Sequence, residues 1–351
     1  MNFLQYWPII EAIIILAVFG GAIFWMWKQM RTRAKNPPPR PTTFWGRFRY
    51  SAVYVLRLVG FALGLLLALI VVITLERSLY SINADSKPAP SEVNIPPELG
   101  FEVEEVTFES EDGLTMAGWY APPQNGVTVI LLHGYGGNRT AMLWHARQLV
   151  PAGYGVLMYD ERASGESEGT HRSFGWEDAR DVWGAIRFIE ARSDNSQGRI
   201  GMAGCSIGGQ ISLQSAAYYP EIGAVWSEGA GGVRAQDLPI SSNPLLFVIT
   251  MANYPLDWMF SLKLGVDAPT PLIDIIGNIA PRPIMLVGGG LPRPIIGSEE
   301  AMQSRLLQYA GDNANMWIIP DAGHCGGRKT RPEEYAAKML AFFDAAFGIT
   351  R

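Results

Sequence analysis

The chain is poor in the residues that build metal centres. It has two cysteines and four histidines in 351 residues. Two cysteines, Cys205 and Cys325, exclude a disulfide-dense mini-protein and a multi-cysteine zinc site. Four scattered histidines argue against a histidine-rich metal site, so neither metal nor cofactor is expected. Charge is also scarce, at 17% of residues against ~25% in soluble proteins. The net charge of −5 argues against nucleic acid as a main partner. Met1–Ile10 carries no side-chain charge, so the N-terminus lacks the basic start of a cleaved signal peptide. No internal repeat is visible. Disorder is excluded as the dominant state, because 48% of the residues are hydrophobic.

The apolar residues are unevenly placed. Pro8–Trp27 is a 20-residue window whose one charge is Glu11, and Leu58–Leu75 has 18 residues and none. At ~1.5 Å per residue each spans most of a ~30 Å hydrocarbon core, so two transmembrane helices are expected rather than two buried soluble ones. Tyr6, Trp7, Trp25 and Trp27 sit at the window ends, where interfacial aromatics belong. Between the windows lie Lys28, Arg31, Arg33, Lys35, Arg40, Arg47 and Arg49, with no acid. Such a basic loop, residues 28–52, stays cytoplasmic, which turns the remainder of the chain outward. From Glu76 onward there are 20 Lys+Arg and 32 Asp+Glu, so 20 − 32 = −12 for that part. The expected organisation is a membrane anchor at 1–80, a Pro-rich linker at 81–100 and a large domain at 101–351.

In the large domain the hydrophobic period switches repeatedly between strand and helix. Phe101–Ser110 and Leu114–Tyr120 alternate about an Asp112-Gly113 turn, as a β-hairpin does. Val127–Leu132 is an unbroken apolar run, the pattern of a strand buried on both faces. Further strands are expected at 155–159, 200–203, 224–227, 284–287 and 316–319. Helices are expected at 140–152, 176–192, 207–219, 299–309 and 332–347. Alternation of this kind makes a mostly parallel sheet with helices on both faces. Residues 229–280 break the rhythm, with four prolines between Pro244 and Pro271 and many large apolar residues, and read as a cap over the strand ends.

Three loops carry chemistry. Gly204-Cys205-Ser206-Ile207-Gly208 lies between strand and helix, the context a G-x-S-x-G nucleophile elbow requires. His133-Gly134-Tyr135-Gly136-Gly137 ends a buried strand. The backbone N–H groups of Tyr135 and Ile207 are therefore candidates for an oxyanion hole, with His133 itself a structural hydrogen-bonder. His324, in the loop after the last strand, is the candidate base for Ser206. The acid is less legible. No Asp follows the strand 284–287 before the next helix, so Glu299 is preferred, with Glu300 and Glu228 as alternatives. His145 and His171 carry no chemistry in this reading. Cys205 and Cys325 flank Ser206 and His324. The residue before an elbow nucleophile points away from the pocket, so the two are expected as small buried hydrophobes rather than a disulfide.

These motifs resemble the α/β-hydrolase superfamily over roughly residues 101 to 349. Asp160-Glu161-Arg162-Ala163-Ser164-Gly165-Glu166-Ser167 is similar to that family's D-x-R-G-x-G-x-S loop, with Ala163 in place of a glycine. Ile279-Ala280-Pro281-Arg282-Pro283 also recurs in its serine-aminopeptidase and dienelactone-hydrolase-like branch, which includes membrane-anchored bacterial members. The resemblance implies a Ser–His–acid hydrolase without fixing the substrate. The expected function is hydrolysis of carboxylic esters of small molecules at the bilayer. A peptidase or acyltransferase on the same triad, and a non-catalytic scaffold, are the rivals. Phe247, Met251, Tyr254, Trp258, Met259 and Phe260 in the cap suit an acyl pocket, a lid resting on lipid, or a small core of the cap's own. Oligomeric state is not legible.

Overall fold

The computed structural model describes residues 41–83, 93–95, 99–195, 198–243, 253–292 and 298–350, with isolated residues between 20 and 32 and between 247 and 251. It divides into two units, Met1–Tyr80 and Ser81–Arg351.

In the first unit, helix α1 (Phe44–Asn83) starts where Thr43 Oγ1 accepts the Gly46 N–H at 3.1 Å, an N-terminal cap. Its stretch Phe44–Ala68 is long and apolar enough to cross a membrane, its most apolar part having a mean hydropathy of 2.0. Two such helices were expected. Among the described residues there is one, and most of the window Pro8–Trp27 lies outside them. The expected basic loop is also shorter than 28–52, since α1 already holds Arg47 and Arg49. No proline interrupts this segment, so the helix continues across the charged flank.

The second unit is built on eight strands: β1 (Glu104–Glu109), β2 (Thr115–Ala121), β3 (Val127–Leu132), β4 (Gly155–Tyr159), β5 (Arg199–Cys205), β6 (Ile222–Glu228), β7 (Ile284–Gly289) and β8 (Ala314–Ile319). They form one sheet in the order β1-β2-β4-β3-β5-β6-β7-β8. The β1–β2 and β2–β4 pairs are antiparallel and every later pair is parallel. Between the strands run α2 (Leu143–Leu149), α3 (Ala179–Glu190), α4 (Ile207–Tyr218), α5 (Asn253–Leu264), α6 (Leu272–Ile275) and α7 (Glu300–Ala310), and after β8 come α8 (Gly327–Thr330) and α9 (Pro332–Phe347).

Strand periodicity decides the layering. Along β3, Ile130 and Leu132 enter one core with Val182, Ile186, Ile211 and Leu306, from α3, α4 and α7. Val127, Val129 and Leu131 enter the opposite core with Leu149, Tyr335 and Phe343, from α2 and α9. All six β3 residues are buried, and each large aliphatic side chain so buried stabilises the fold by about 1.5–3 kcal/mol. The Pro-rich linker is not a free spacer throughout. Val93 is buried in the second of these cores, and Leu99 is buried as well.

The chain turns back on itself at β3. From there β4 lies on one side and β5 on the other, so a crevice opens at the carboxyl ends of β3 and β5, where open α/β sheets bind ligands. The elbow after β5 depends on close packing. A Cβ on Gly208 would lie 2.5 Å from the carbonyl oxygens of both Leu132 and His133. Neither backbone oxygen can yield, so the position after Ile207 admits no side chain.

Candidate active site

Ser206 sits between β5 and α4 with φ 59° and ψ −118°, a strained conformation for a residue with a side chain. Its N–H donates to the Glu228 carbonyl at 2.8 Å, and its own carbonyl accepts the Gln210 N–H at 3.0 Å. The hydroxyl is thereby presented at the start of α4. Ile207 is the first residue of that helix, where backbone N–H groups face outward. The turn after β3 lies alongside, because a Cβ on Gly134 would stand 3.4 Å from the Ser206 Cβ.

Three side chains from three strand ends form one hydrogen-bonded row. Ser206 Oγ lies 2.9 Å from His324 Nε2, and His324 Nδ1 bonds to Glu299 Oε1. His324 is a third exposed at its side chain and Glu299 is 4% exposed. Glu299 is held at both ends of its residue: its Oε2 accepts the Gly289 N–H at 2.8 Å, and its N–H donates to the Gly289 carbonyl at 3.2 Å. These bonds orient the imidazole with Nε2 toward the hydroxyl.

The two alternative acids lie elsewhere. Glu300 is exposed in the first turn of α7. Glu228 is buried at the end of β6, where its carboxylate accepts the Gly327 N–H at 2.9 Å and the Tyr335 hydroxyl at 3.0 Å. Trp226 Nε1 donates to the same tyrosine oxygen at 2.7 Å. Burial raises the Glu228 carboxyl above the usual carboxylate range, and the nearby Glu299 charge adds to it. Glu228 thus ties the chain that follows His324 to the sheet.

His133 is a buried structural residue. Its Nε2 accepts the Glu161 N–H at 3.1 Å and its Nδ1 donates to the Gly134 carbonyl at 2.9 Å, so both nitrogens of the neutral ring are used. Burial pushes it down to about 4. A histidine whose folded value is depressed contributes stability that is complete above its unfolded value of ~6.5 and is lost as pH falls through the folded one. A variant without this titration, His133→Asn, should therefore show a flatter pH dependence of unfolding between pH 6.5 and 4. The difference between the two slopes should integrate to about 3 kcal/mol, measured by urea denaturation. His145 is buried in α2 and pushed down to about 3 by burial. His171 pairs with Glu177 at 3.0 Å, away from Ser206.

The Asp160–Ser167 loop is likewise structural. Asp160 accepts the Arg139 N–H at 2.7 Å and the Glu166 N–H at 2.9 Å, while Arg162 pairs with Asp181 at 2.6 Å. Ala163 adopts φ 54°, the left-handed conformation that the family's glycine takes freely.

The row opens into a cleft of about 280 Å³ lined by Tyr135, Gln210, Leu238, Pro239 and Met302 among others. Ile207, Gln210 and Leu238 also line an adjoining recess of about 220 Å³, walled by Phe174, Trp176 and Phe260. Of the six cap residues that suited a pocket, a lid or a core of the cap's own, Phe260 lines this recess. Met259 is buried, and Phe247, Tyr254 and Trp258 are exposed. The cap is pinned by polar contacts: Arg234 pairs with Asp257 at 2.9 Å, and buried Asp237 accepts the Val233, Arg234 and Ile273 N–H groups.

Two features escaped the sequence reading. Cys205 and Cys325 are joined in a disulfide, with Cα atoms 5.9 Å apart, which corrects the expectation of two separate buried thiols. Cys205 does lie behind the elbow, but the loop carrying Cys325 reaches the same side, and alternation along one strand cannot reveal that. Gly229 was also missed. It has φ 62°, and a Cβ there would stand 3.0 Å from His324 Nδ1 and 3.2 Å from Glu299 Oε1. Its sequence signal is the glycine-rich run Gly229-Ala230-Gly231-Gly232 directly after β6.

Sheet order, elbow and strand-end loops define an α/β-hydrolase fold. Residues 109–241 match the model of the X-Pro dipeptidyl-peptidase (S15) family. The chain is 27% identical over 259 residues to the uncharacterized protein YfhR of Salmonella typhimurium, covering 70% of this chain and 82% of that one. It is also 25% identical over 223 residues to the uncharacterized protein Rv2307c of Mycobacterium tuberculosis, covering 63% and 72%. Among solved structures, the esterase Pf2001 of Pyrococcus furiosus superposes with a TM-score of 0.58 at 23% identity, over 74% of this chain and 98% of that one.

Proposed function

We propose that this protein is a membrane-anchored serine hydrolase that cleaves carboxylic esters of small molecules through an acyl-enzyme intermediate. The observation that carries this reading is the hydrogen-bonded row Ser206–His324–Glu299 at the mouth of an apolar cleft. A serine hydroxyl becomes a competent nucleophile when a base takes its proton. His324 Nε2 stands where it can do so, and Glu299 stabilises the imidazolium that results. The Tyr135 and Ile207 N–H groups receive the oxyanion. His324 then protonates the leaving alcohol, and water, activated by the same histidine, releases the acid. No cofactor enters this scheme.

Apolar linings favour an ester with apolar arms on both sides of the carbonyl, one in the cleft and one in the aromatic recess. At about 280 Å³ the cleft is near the small end of ligand sites, so short acyl chains are favoured over long ones. The partial match to a peptidase family supports a second reading, hydrolysis of an amide. A substrate amine needs an acid to pair with, and Asp257, the carboxylate lining the recess, is already bonded to Arg234 and to the Ala235 N–H.

The apolar helix α1 supports the anchor, and the basic residues before it support an outward-facing hydrolase domain. The Cys205–Cys325 disulfide agrees with that side of the membrane, since such bonds persist in oxidising compartments. The test is turnover by the full chain on aryl esters of rising acyl length and on aminoacyl amides, with Ser206→Ala as control. Ester hydrolysis that peaks at short chains and falls by about 10⁴-fold or more in the variant is the expected result. Amide hydrolysis with weak ester activity would move the assignment to a peptidase. Activity retained by Ser206→Ala would refute both.

A further inference from the structure

We infer that the Cys205–Cys325 disulfide positions His324 against Ser206, and that reducing it turns the enzyme down. The inference rests on the Ser206–His324 reading above. Cys205 immediately precedes the nucleophile and Cys325 immediately follows the base, 120 residues away in sequence. Elbow and histidine loop are therefore joined twice. On the cleft side Ser206 Oγ and His324 Nε2 are 2.9 Å apart, and behind them the two sulfurs are bonded.

The elbow needs no such help, because β5 and α4 hold it from both directions. The histidine loop lies in neither strand nor helix. Its turns close through Ala322 N–H on the Ile319 carbonyl and Gly326 N–H on the Gly323 carbonyl. Neighbouring chain reaches it through Leu291 N–H on the Ala322 carbonyl, and Glu228 holds the following Gly327 N–H. Between these ties, at Cys325, the backbone has φ 50°, a left-handed conformation that a side-chain-bearing residue keeps only when its surroundings impose it. The Gly323–Gly326 turn places Cys325 in this conformation, and the covalent bond at the same residue ties that turn to the elbow. A shift of the loop by about 1 Å would lengthen the Ser206–His324 hydrogen bond, and displacements of that size cost enzymes roughly 10²-fold in rate.

Cys205 and Cys325 are each half-buried, so a small dithiol can reach them. Its thiolate attacks one sulfur and forms a mixed disulfide, and the other cysteine leaves as thiolate. The second thiol of the reductant then displaces the remaining cysteine. Two electrons pass from the dithiol, which becomes a disulfide, and two protons complete the cysteine thiols. Ser206, His324 and Glu299 are chemically unchanged; what is lost is the tether. The signature is a fall in kcat with KM little altered, because the apolar cleft residues Leu238, Pro239 and Met302 belong to other segments than the bonded loops.

The experiment uses the full chain in detergent, oxidised, reduced with dithiothreitol and reoxidised, with free thiols counted in each state. A Cys205→Ala/Cys325→Ala variant is run beside them. Each sample is read for kcat and KM on an aryl ester, for the rate at which a fluorophosphonate labels Ser206, and for near-ultraviolet circular dichroism as a check on folding. The expected result is a fall of tenfold or more in kcat and in labelling rate, with KM within twofold, in the reduced enzyme and the folded variant, and recovery on reoxidation. Rates within twofold of the oxidised enzyme in either sample would overturn the inference and leave the hydrolase reading standing. A bond that stays closed in excess dithiothreitol would overturn the redox control, and the variant would then decide the positioning role alone. If the variant is unfolded, the reversible reduction decides in its place. No labelling of Ser206 in the oxidised enzyme would overturn the hydrolase reading and this inference with it.

Discussion

Ser206→Ala and His324→Ala should each lower ester turnover by about 10⁴- to 10⁶-fold, and the double variant should be no worse than the poorer single one. The non-additivity is the informative part. If Ser206 attacks only after His324 takes its proton, removing either leaves the other with no task. Independent contributions would multiply instead. Steady-state kinetics on one aryl ester, with each variant's folding verified by circular dichroism, gives the answer. A residual rate above the uncatalysed reaction is expected in all three variants, from the Tyr135 and Ile207 N–H groups and from substrate binding, neither of which these substitutions touch. A double variant slower than either single one by the product of their effects would mean that the hydrogen bond between Ser206 and His324 is not the working contact.

The two buried carboxylates should behave oppositely, and this is the second large effect. Glu299 accepts from His324 and from the Gly289 N–H at the same time. A glutamine offers one acceptor oxygen and must turn its NH₂ toward one of those donors. Glu299→Gln should therefore lower kcat by about 10³- to 10⁴-fold, as expected when the imidazole loses the anion that fixes its tautomer. Glu228 accepts from Gly327 and Tyr335, neither of which faces the cleft. Glu228→Leu leaves both donors buried and unpaired, at about 1–3 kcal/mol each, and should appear as a drop in denaturation midpoint with kcat changed less than tenfold. Comparing turnover per labelled site with unfolding by urea separates the two. Equal kinetic losses in both variants would mean that Glu228 shares the acid's role.

How much of this was readable beforehand follows from which forces act locally. The strand–helix alternation from Phe101 to Phe347 was legible because both kinds of element bury one face or two, and burial imposes a period on the residues themselves. β3 was the clearest case: a run of six apolar residues has no solvent-facing side. The elbow was legible because a strained turn packed against backbone must be flanked by small residues, and Gly204 and Gly208 mark it. Ser206 and His324 followed from their loops and their order in the chain. Helix ends were less legible. The helix expected from residue 176 begins at Ala179, and the Asp178 carboxylate before it accepts the Ser173 hydroxyl and the Gly175 N–H.

The acid, the disulfide and Gly229 are of another kind. Three glutamates were open candidates for the acid, since the sequence places each near a strand end, and which one meets His324 depends on how β6, β7 and β8 lie side by side. The same adjacency brings Cys325 to Cys205 and crowds Gly229, where a Cβ would stand 3.0 Å from His324 Nδ1. By itself the sequence determined the layers of this protein, the position of the strained Ser206 turn and its apolar N-terminal stretches, because periodicity and turn chemistry are written residue by residue. Contacts between segments 25 to 120 residues apart were decided by tertiary structure alone. They arise where separate strands end at one edge of the sheet, and no local pattern carries that information.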